Sequence, residues 1–379
     1  MGEGAQRHRD QEEAVRLRAG IPGAPVLIWN YSEEAHVTTL EMHSKPASTF
    51  VPVIDVAPFL HGSEAEKRQV ARDVDKASRE VGFYVVVGHG VDSNLVPRME
   101  AISREFFDQP LDEKMKLHVS AHSSSVGYAA VGDNNLSYTR GEAKPFDLVE
   151  SLIIAPIDVP DDPYYGTPDA LPLFPANQWP THPAELRAIW SDYYRRMQLL
   201  ADDLMRLSAV ALDLPKDYFQ DKIDRNVSKL TAKLYPPQKT EPLPGQLRSS
   251  AHTDFGTVTI LKPGDAPGGL QVADAEGNWH DVPMVPGSFV INLGDLMQRW
   301  TNDHWRSALH RVVNPPAAKR ATSSRLSIVF FHHPNYDVTV SCLPSLLKTG
   351  EQPRHAPIGY SDFYRLRLDQ RRAKVTVSA

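Results

Sequence analysis

The chain has 379 residues, 41% hydrophobic and 23% charged, with a formal net charge of −6, which is ordinary globular composition with ample material for a core in one large domain or two. Its charges are mixed rather than blocked, which argues against nucleic acid as the main partner, and no run approaches the roughly 18 apolar residues of a membrane span. The one cysteine, Cys342, excludes an intramolecular disulfide and a cysteine zinc cluster, and fits a reducing, cytoplasmic setting.

Residues 1–48 read as an amino-terminal extension. They are rich in Arg, Glu and Gln, lack a signal-peptide apolar core and carry too many acids for a transit peptide. The myristoylation pattern after Gly2 is incomplete, and His8-Arg9-Asp10 lacks the downstream Asn of a kinase catalytic loop. Val26-Leu27-Ile28-Trp29 is apolar enough to pack on something. From Val51 the composition becomes that of a folded domain. Ser63 and Glu66 form a capping box, and Val70, Val74, Ala77 and Val81 recur at helical spacing, so a helix is predicted to about Glu80, stopped by Gly82. Phe83 to Val87 reads as a buried strand. His89, between two glycines at its end, reads as structural rather than as a metal ligand.

A second helix is predicted over Asn94–Phe107. Residues 119–145 have the Ser, Gly and Asn content of a loop, either a solvated connection or a lid, with Tyr128 as its first substrate-contact candidate. After a Pro-rich connection, Leu186, Ile189, Tyr193, Met197, Leu200, Leu204, Leu207 and Ala211 step by three or four, the pattern of a long helix packed on a sheet. Trp190 and Tyr194 flank that stripe and either widen it or meet a partner subunit.

Val227 to Tyr235 reads as a strand with Thr231, Lys233 and Tyr235 on one face. Lys233 then either contacts an anionic group of a ligand or carries its stem out to solvent. Downstream, short β-branched runs alternate with Gly and Pro: Thr257–Leu261, Leu270–Val272, Ser288–Leu293 and Arg325–Phe331. Such punctuation suggests a sandwich or jelly roll. At the head of this stretch, His252 and Asp254 are an i, i+2 pair, and on a strand they would share a face. The same His-x-Asp spacing at His8 and Asp10 shows that the pair alone says little. With His310 from another strand, two imidazoles and a carboxylate would make a triad with open positions, suited to non-haem Fe(II) and O2. Arg325 and Ser327 are a second i, i+2 pair, on the face that continues through Val329 and Phe331. A buried guanidinium there calls for a carboxylate partner, which a dicarboxylate would provide.

The residues His252-Thr253-Asp254-Phe255-Gly256, Asn292-Leu293-Gly294-Asp295, Thr301-Asn302, His310-Arg311-Val312 and Arg325-Leu326-Ser327 together resemble the iron- and 2-oxoglutarate-dependent dioxygenase superfamily. The branch resembled is that of isopenicillin N synthase and the plant-type small-molecule oxygenases. The helix, strand and His-Gly passage near residue 89 resembles its amino-terminal region, so the likeness spans roughly residues 50–335. It implies a mainly β fold with flanking helices: a double-stranded β-helix (jelly-roll) core over 223–340, an amino-terminal α/β region over 49–222 with the long supporting helix, and a closing segment over 341–379. It also implies iron ligands at His252, Asp254 and His310, and a 2-oxoglutarate anchor at Arg325 and Ser327 helped by Tyr235.

By the same resemblance, the reaction couples 2-oxoglutarate and O2, through loss of succinate and CO2, to hydroxylation, desaturation or cyclisation of a small molecule, often a specialised metabolite. No catalytic residue beyond the metal ligands is implied. Phe331 and Phe255 are candidate pocket walls, and Lys233, standing where the family often has Asn, hints at an acidic substrate. Three alternatives stay open: an oxidase with the same triad that does not use 2-oxoglutarate, a zinc hydrolase, and a non-catalytic binding protein. The sequence leaves the oligomeric state open as well.

Overall fold

The computed structural model describes residues 50–119, 126–142, 144–347 and 350–372. The extension expected at 1–48 lies outside them. Strand β1 (Val53–Asp55) leads into helices α1 (Ala57–His61) and α2 (Glu64–Glu80). The start of α2 is the expected capping box: Glu66 N donates to Ser63 Oγ at 3.4 Å, and Ser63 N to Glu66 Oε2 at 2.8 Å. Gly82 ends the turn after α2 at φ +74°, where a Cβ would also collide with the Arg306 carbonyl. Then follow β2 (Phe83–Val87), α3 (Leu95–Phe107), α4 (Leu111–Met115), β3 (Gly127–Ala129), β4 (Glu150–Ile154) and the 26-residue α5 (Leu186–Ala211).

The second half is strand-rich. After α6 (Gln220–Ile223) come β5 (Lys229–Tyr235), β6 (Ser249–His252), β7 (Val258–Lys262), β8 (Leu270–Ala273), β9 (Trp279–Asp281) and β10 (Phe289–Leu293). Helix α7 (Asp295–Trp300), β11 (His310–Val312), β12 (Arg325–Phe331) and the short pair β13 (Thr339–Val340) and β14 (Ile358–Gly359) precede α8 (Tyr360–Arg372).

Eight strands form one sheet in the order β1-β2-β10-β7-β12-β5-β4-β3, and β6-β11-β8-β9 form a second. Side-chain alternation decides what each face does. On β12, Leu326, Ile328 and Phe330 join Tyr84, Val86 and Ile291 in the core shared with α2, α3 and α5. Arg325, Ser327, Val329 and Phe331 turn the other way. Toward that inner side, Phe83, Val85, Tyr235 and Val290 of the large sheet meet Leu270, Val272 and Val312 of the small one. The result is the expected β core with its helices on one outer face. Trp190 and Tyr194 are fully buried in the α5 layer, so they widen its apolar face. Strands β1 to β4 share a sheet with β5, β7, β10 and β12, so the sheet runs across the division expected at 222/223.

Of the span 119–145 expected to be a loop, residues 120–125 and 143 lie outside the described residues, and the rest includes β3 and a 3-10 turn at Leu136–Arg140. Register explains why the substrate-contact expectation for Tyr128 fails. Tyr128 pairs with Leu152 of β4, whose side chain faces the helices, so Tyr128 is buried on that side. There its Oη donates to Glu150 Oε2 at 2.6 Å, and Lys114 Nζ reaches the same oxygen at 2.8 Å. Both charges of this pair are buried. Removing one leaves the other stranded, so Lys114→Ala is expected to lower the unfolding free energy in urea by about 3–5 kcal/mol. A loss below about 1 kcal/mol would mean that the pair behaves like a surface one.

Candidate metal centre

His252 ends β6 and His310 starts β11, and antiparallel pairing sets the two residues directly opposite each other. Their ring centroids are 4.3 Å apart. Asp254 Oδ1 lies 3.8 Å from Nε2 of each, and one donor atom from each of the three residues falls within 4.8 Å of the others. All three residues are buried. Because β6 stops at His252, the strand argument does not place Asp254; the turn after it does. That turn is pinned by α7: Asp295 N donates to Asp254 O at 2.8 Å, and Gly294 N to Thr257 O at 2.7 Å. A Cβ on Gly294 would collide with the Gly256 carbonyl, so this close approach requires glycine.

The outer contacts orient every donor. Nδ1 of His252 is 2.7 Å from Ser250 O, and Nδ1 of His310 is 3.1 Å from Ala308 O. A carbonyl only accepts, so each Nδ1 carries the proton and each Nε2 turns its lone pair inward. Asp254 Oδ2 accepts from Thr259 Oγ1 at 2.6 Å and from Asn292 Nδ2 at 2.8 Å, which leaves Oδ1 facing the imidazoles. Burial, and then His310, push His252 well below its ordinary range, so the ring is neutral. Burial alone would raise Asp254, but its electrostatic coupling to His310 and His252, and then the hydrogen bonds from Thr259 and Asn292, outweigh it and hold the carboxyl below its ordinary range. Two imidazole nitrogens and an ionised carboxylate, with further positions open, suit a divalent first-row metal such as Fe(II).

A cavity of about 750 Å³ opens beside this triad. Lys233, Phe331 and Phe255 line it, and Tyr128 does not. His333, inward by alternation from Phe331, lines it too, and Tyr364 and Leu368 of α8 close one side. Arg367 of the same helix pairs with Asp295 Oδ2 at 2.9 Å and donates to Thr253 Oγ1 at 3.2 Å. Farther along β12, Arg325 stands opposite Tyr235 and Ser327 opposite Lys233. Arg325 is 3% exposed. Its Nη1 donates to Ala266 O at 3.0 Å and Gly268 O at 3.3 Å, while its Nε has no hydrogen-bond partner among the described residues. Ser327 Oγ accepts from Gly264 N at 3.4 Å.

Sequence reasoning missed three contributors. Arg248, fully buried, donates to Pro267 O at 2.6 Å and Ser323 O at 2.7 Å, and its Nε is also unpartnered among the described residues. Burial first, and then the Arg325 cation, bring it down to about 10. Neither guanidinium has a carboxylate at ion-pair distance among the described residues, so two buried cations stand together in surroundings suited to a carboxylate ligand. Asn292 and Thr259, which fix Asp254, were the others. Their signal was a polar residue on an otherwise apolar strand face, and Arg248, Ser250 and His252 were spaced to share a face. His89 is structural as expected, with Nε2 on Gly287 O at 2.8 Å. Asn302, at φ 53° in the turn after α7, accepts from Arg354 N at 2.8 Å and so ties the carboxy-terminal segment to that turn.

Comparison with known proteins gives the same family from both halves of the chain. Residues 51–182 match the family described as non-haem dioxygenase in morphine synthesis N-terminal, and residues 225–334 match the 2OG-Fe(II) oxygenase superfamily. The 2-oxoglutarate-Fe(II) type oxidoreductase hxnY of Emericella nidulans is 36% identical over 326 residues, covering 84% of this chain and 89% of that protein. Validamycin A dioxygenase of Streptomyces hygroscopicus subsp. limoneus is 32% identical over 283 residues, 74% of this chain and 76% of that one. The structure of a full-length Neurospora crassa protein in complex with alpha-KG and 5-formyluracil aligns with a TM-score of 0.72 at 26% identity, over 85% of this chain and 96% of that one. The chain therefore belongs to the 2OG-Fe(II) oxygenase superfamily, in its isopenicillin N synthase-like branch, and is an Fe(II)- and 2-oxoglutarate-dependent oxygenase acting on a small molecule.

Proposed function

We propose that Nε2 of His252, Oδ1 of Asp254 and Nε2 of His310 hold the iron, and that Arg325 and Ser327, with Tyr235 beside them, hold the far carboxylate of 2-oxoglutarate. The observation that carries this reading is a buried triad whose three donor atoms point at one another, on the same inner surface as two buried guanidiniums without an acid partner among the described residues. Bound there, iron and 2-oxoglutarate supply the oxidising chemistry, turning 2-oxoglutarate and O2 into succinate and CO2 as a substrate C–H bond is oxidised. The protein contributes the geometry. Thr259 and Asn292 keep one carboxylate oxygen of Asp254 occupied so that the other stays on the metal. Phe331 and Phe255 wall the cavity and help exclude water from the reacting centre. Substrate lies over the triad, against Lys233 and α8.

The mixed surface charge supports a small-molecule ligand rather than nucleic acid, and the single, buried Cys342 supports a cytoplasmic setting. Among the described residues, no helix is long and apolar enough to cross a membrane.

The test is turnover with Fe(II), 2-oxoglutarate and O2 across a panel of small metabolites. Succinate should form above the substrate-free rate, in step with one oxidised product. Product formed without succinate would place the chain with the oxidases that do not use 2-oxoglutarate.

A further inference from the structure

Building on that proposed function, we infer that Lys233 is a specificity-determining residue that binds a carboxylate of the substrate, so that the molecule oxidised is a small organic acid with an apolar body. Lys233 sits on the inner face of β5, level with Ser327 of β12 and Ser151 of β4. From there its stem could lean toward Arg325 and Tyr235 or toward the triad. It leans toward the triad: Nζ lies 5.6 Å from the ring centroid of Phe331, two inward positions along β12 from Ser327 and on the side away from Arg325. The ammonium thus faces the part of the cavity beside the metal centre, not the anchor for the far carboxylate of 2-oxoglutarate.

The neighbouring ionic groups along the wall are held in place by the fold. Asp133 accepts from His118 at 2.9 Å and from Ala130 N at 2.6 Å, and Lys144 pairs with Glu142. Asp147 is fully buried, with its two oxygens on Ser250 N at 2.8 Å and Leu136 N at 3.0 Å. Lys229, on the same face of β5, donates to Tyr364 Oη at 2.7 Å. Lys229 and Lys233 therefore share this inner wall, with Asp147 hydrogen-bonded near Lys233 and Asp254 at the triad beyond them. An ammonium in a partly desolvated cavity favours an anionic ligand through charge-assisted hydrogen bonds. Ser151, directly across from Lys233, offers a hydroxyl to the same carboxylate. Phe331, Ile153, Phe146 and Leu368 supply apolar surface for the rest of the molecule.

The experiment uses matched probes that differ only in charge: benzoate and benzamide, and cyclohexanecarboxylate and its amide. Their binding to the metal-free protein is read from the shift in Tm, in wild type, Lys233→Met, Lys233→Arg and Arg325→Ala. The acids should stabilise wild type and the amides should not. In Lys233→Met the apparent dissociation constant of the acids should rise roughly tenfold to a hundredfold, the size of a lost charged hydrogen bond. Lys233→Arg and Arg325→Ala should keep the preference for acids. Equal shifts from acids and amides, no shift from any acid, or acid binding unchanged in Lys233→Met would each overturn the inference. Titrating the Fe(II)-loaded variants with 2-oxoglutarate separates this outcome from failure of the proposed function. Lys233→Met should bind 2-oxoglutarate as wild type does; weaker cosubstrate binding with acid preference intact would give the ammonium to 2-oxoglutarate and overturn the inference.

Discussion

Asp254→Ala is expected to bind Fe(II) at least about a hundredfold more weakly than wild type and to release no succinate above background, because changing even an outer partner of a metal ligand costs roughly 10–100-fold. Asp254 is the ionised donor of the triad, and without it two neutral imidazoles face the metal with no anion to offset its charge. Asn292→Ala provides the graded comparison. It leaves every donor in place but removes the 2.8 Å bond that occupies Asp254 Oδ2, so the carboxylate can swing. Its iron affinity should fall by roughly 10–100-fold, the range for an outer partner. Equilibrium dialysis with iron quantification measures both variants. Wild-type iron affinity in Asp254→Ala would mean that the metal is held elsewhere.

Arg325→Ala is expected to weaken 2-oxoglutarate binding by about 2–5 kcal/mol, roughly 30- to 5,000-fold, with iron affinity unchanged. The large effect comes from burial. Arg325 is 3% exposed and faces no acid at ion-pair distance among the described residues, so a bound carboxylate supplies the counter-charge that the fold leaves out. Because Nη1 also carries the carbonyls of Ala266 and Gly268, part of the loss in the alanine variant comes from that loop. Arg325→Lys separates the two causes. It keeps the charge but not the planar fork, and it should recover little of the affinity if two-pronged recognition is what matters.

The parts of the fold legible in the sequence are those whose signal is local. The α2 capping box needs only Ser63 and Glu66, and the α5 stripe needs only its own 3.6-residue period. The alternation along Arg325–Phe331 likewise separates a helix-facing apolar row from an inward row of Arg, Ser, Val and Phe. What stayed hidden depends on partners far along the chain. Asp254 is placed by a turn that α7 pins some forty residues later, and its free oxygen is fixed by Asn292 on a strand that reads as wholly structural. Tyr128 looked like a loop residue, yet its pairing with Leu152 turns it toward the helices. Arg248 carried no motif, and its position beside Arg325 comes from the segment that leads into β6 meeting the start of β12. Motif resemblance found the residues that would touch iron and cosubstrate, whereas the residues that orient them appear only once the sheets are assembled.

The most direct test is an anaerobic titration of the Fe(II)-loaded protein with 2-oxoglutarate, following the weak visible charge-transfer band of a chelated 2-oxo acid, with Arg325→Ala run alongside. The band should appear and saturate in wild type and require far more 2-oxoglutarate in the variant. Bound iron with no band in wild type, or the same titration curve in both proteins, would contradict a site built from the triad and the Arg325 anchor.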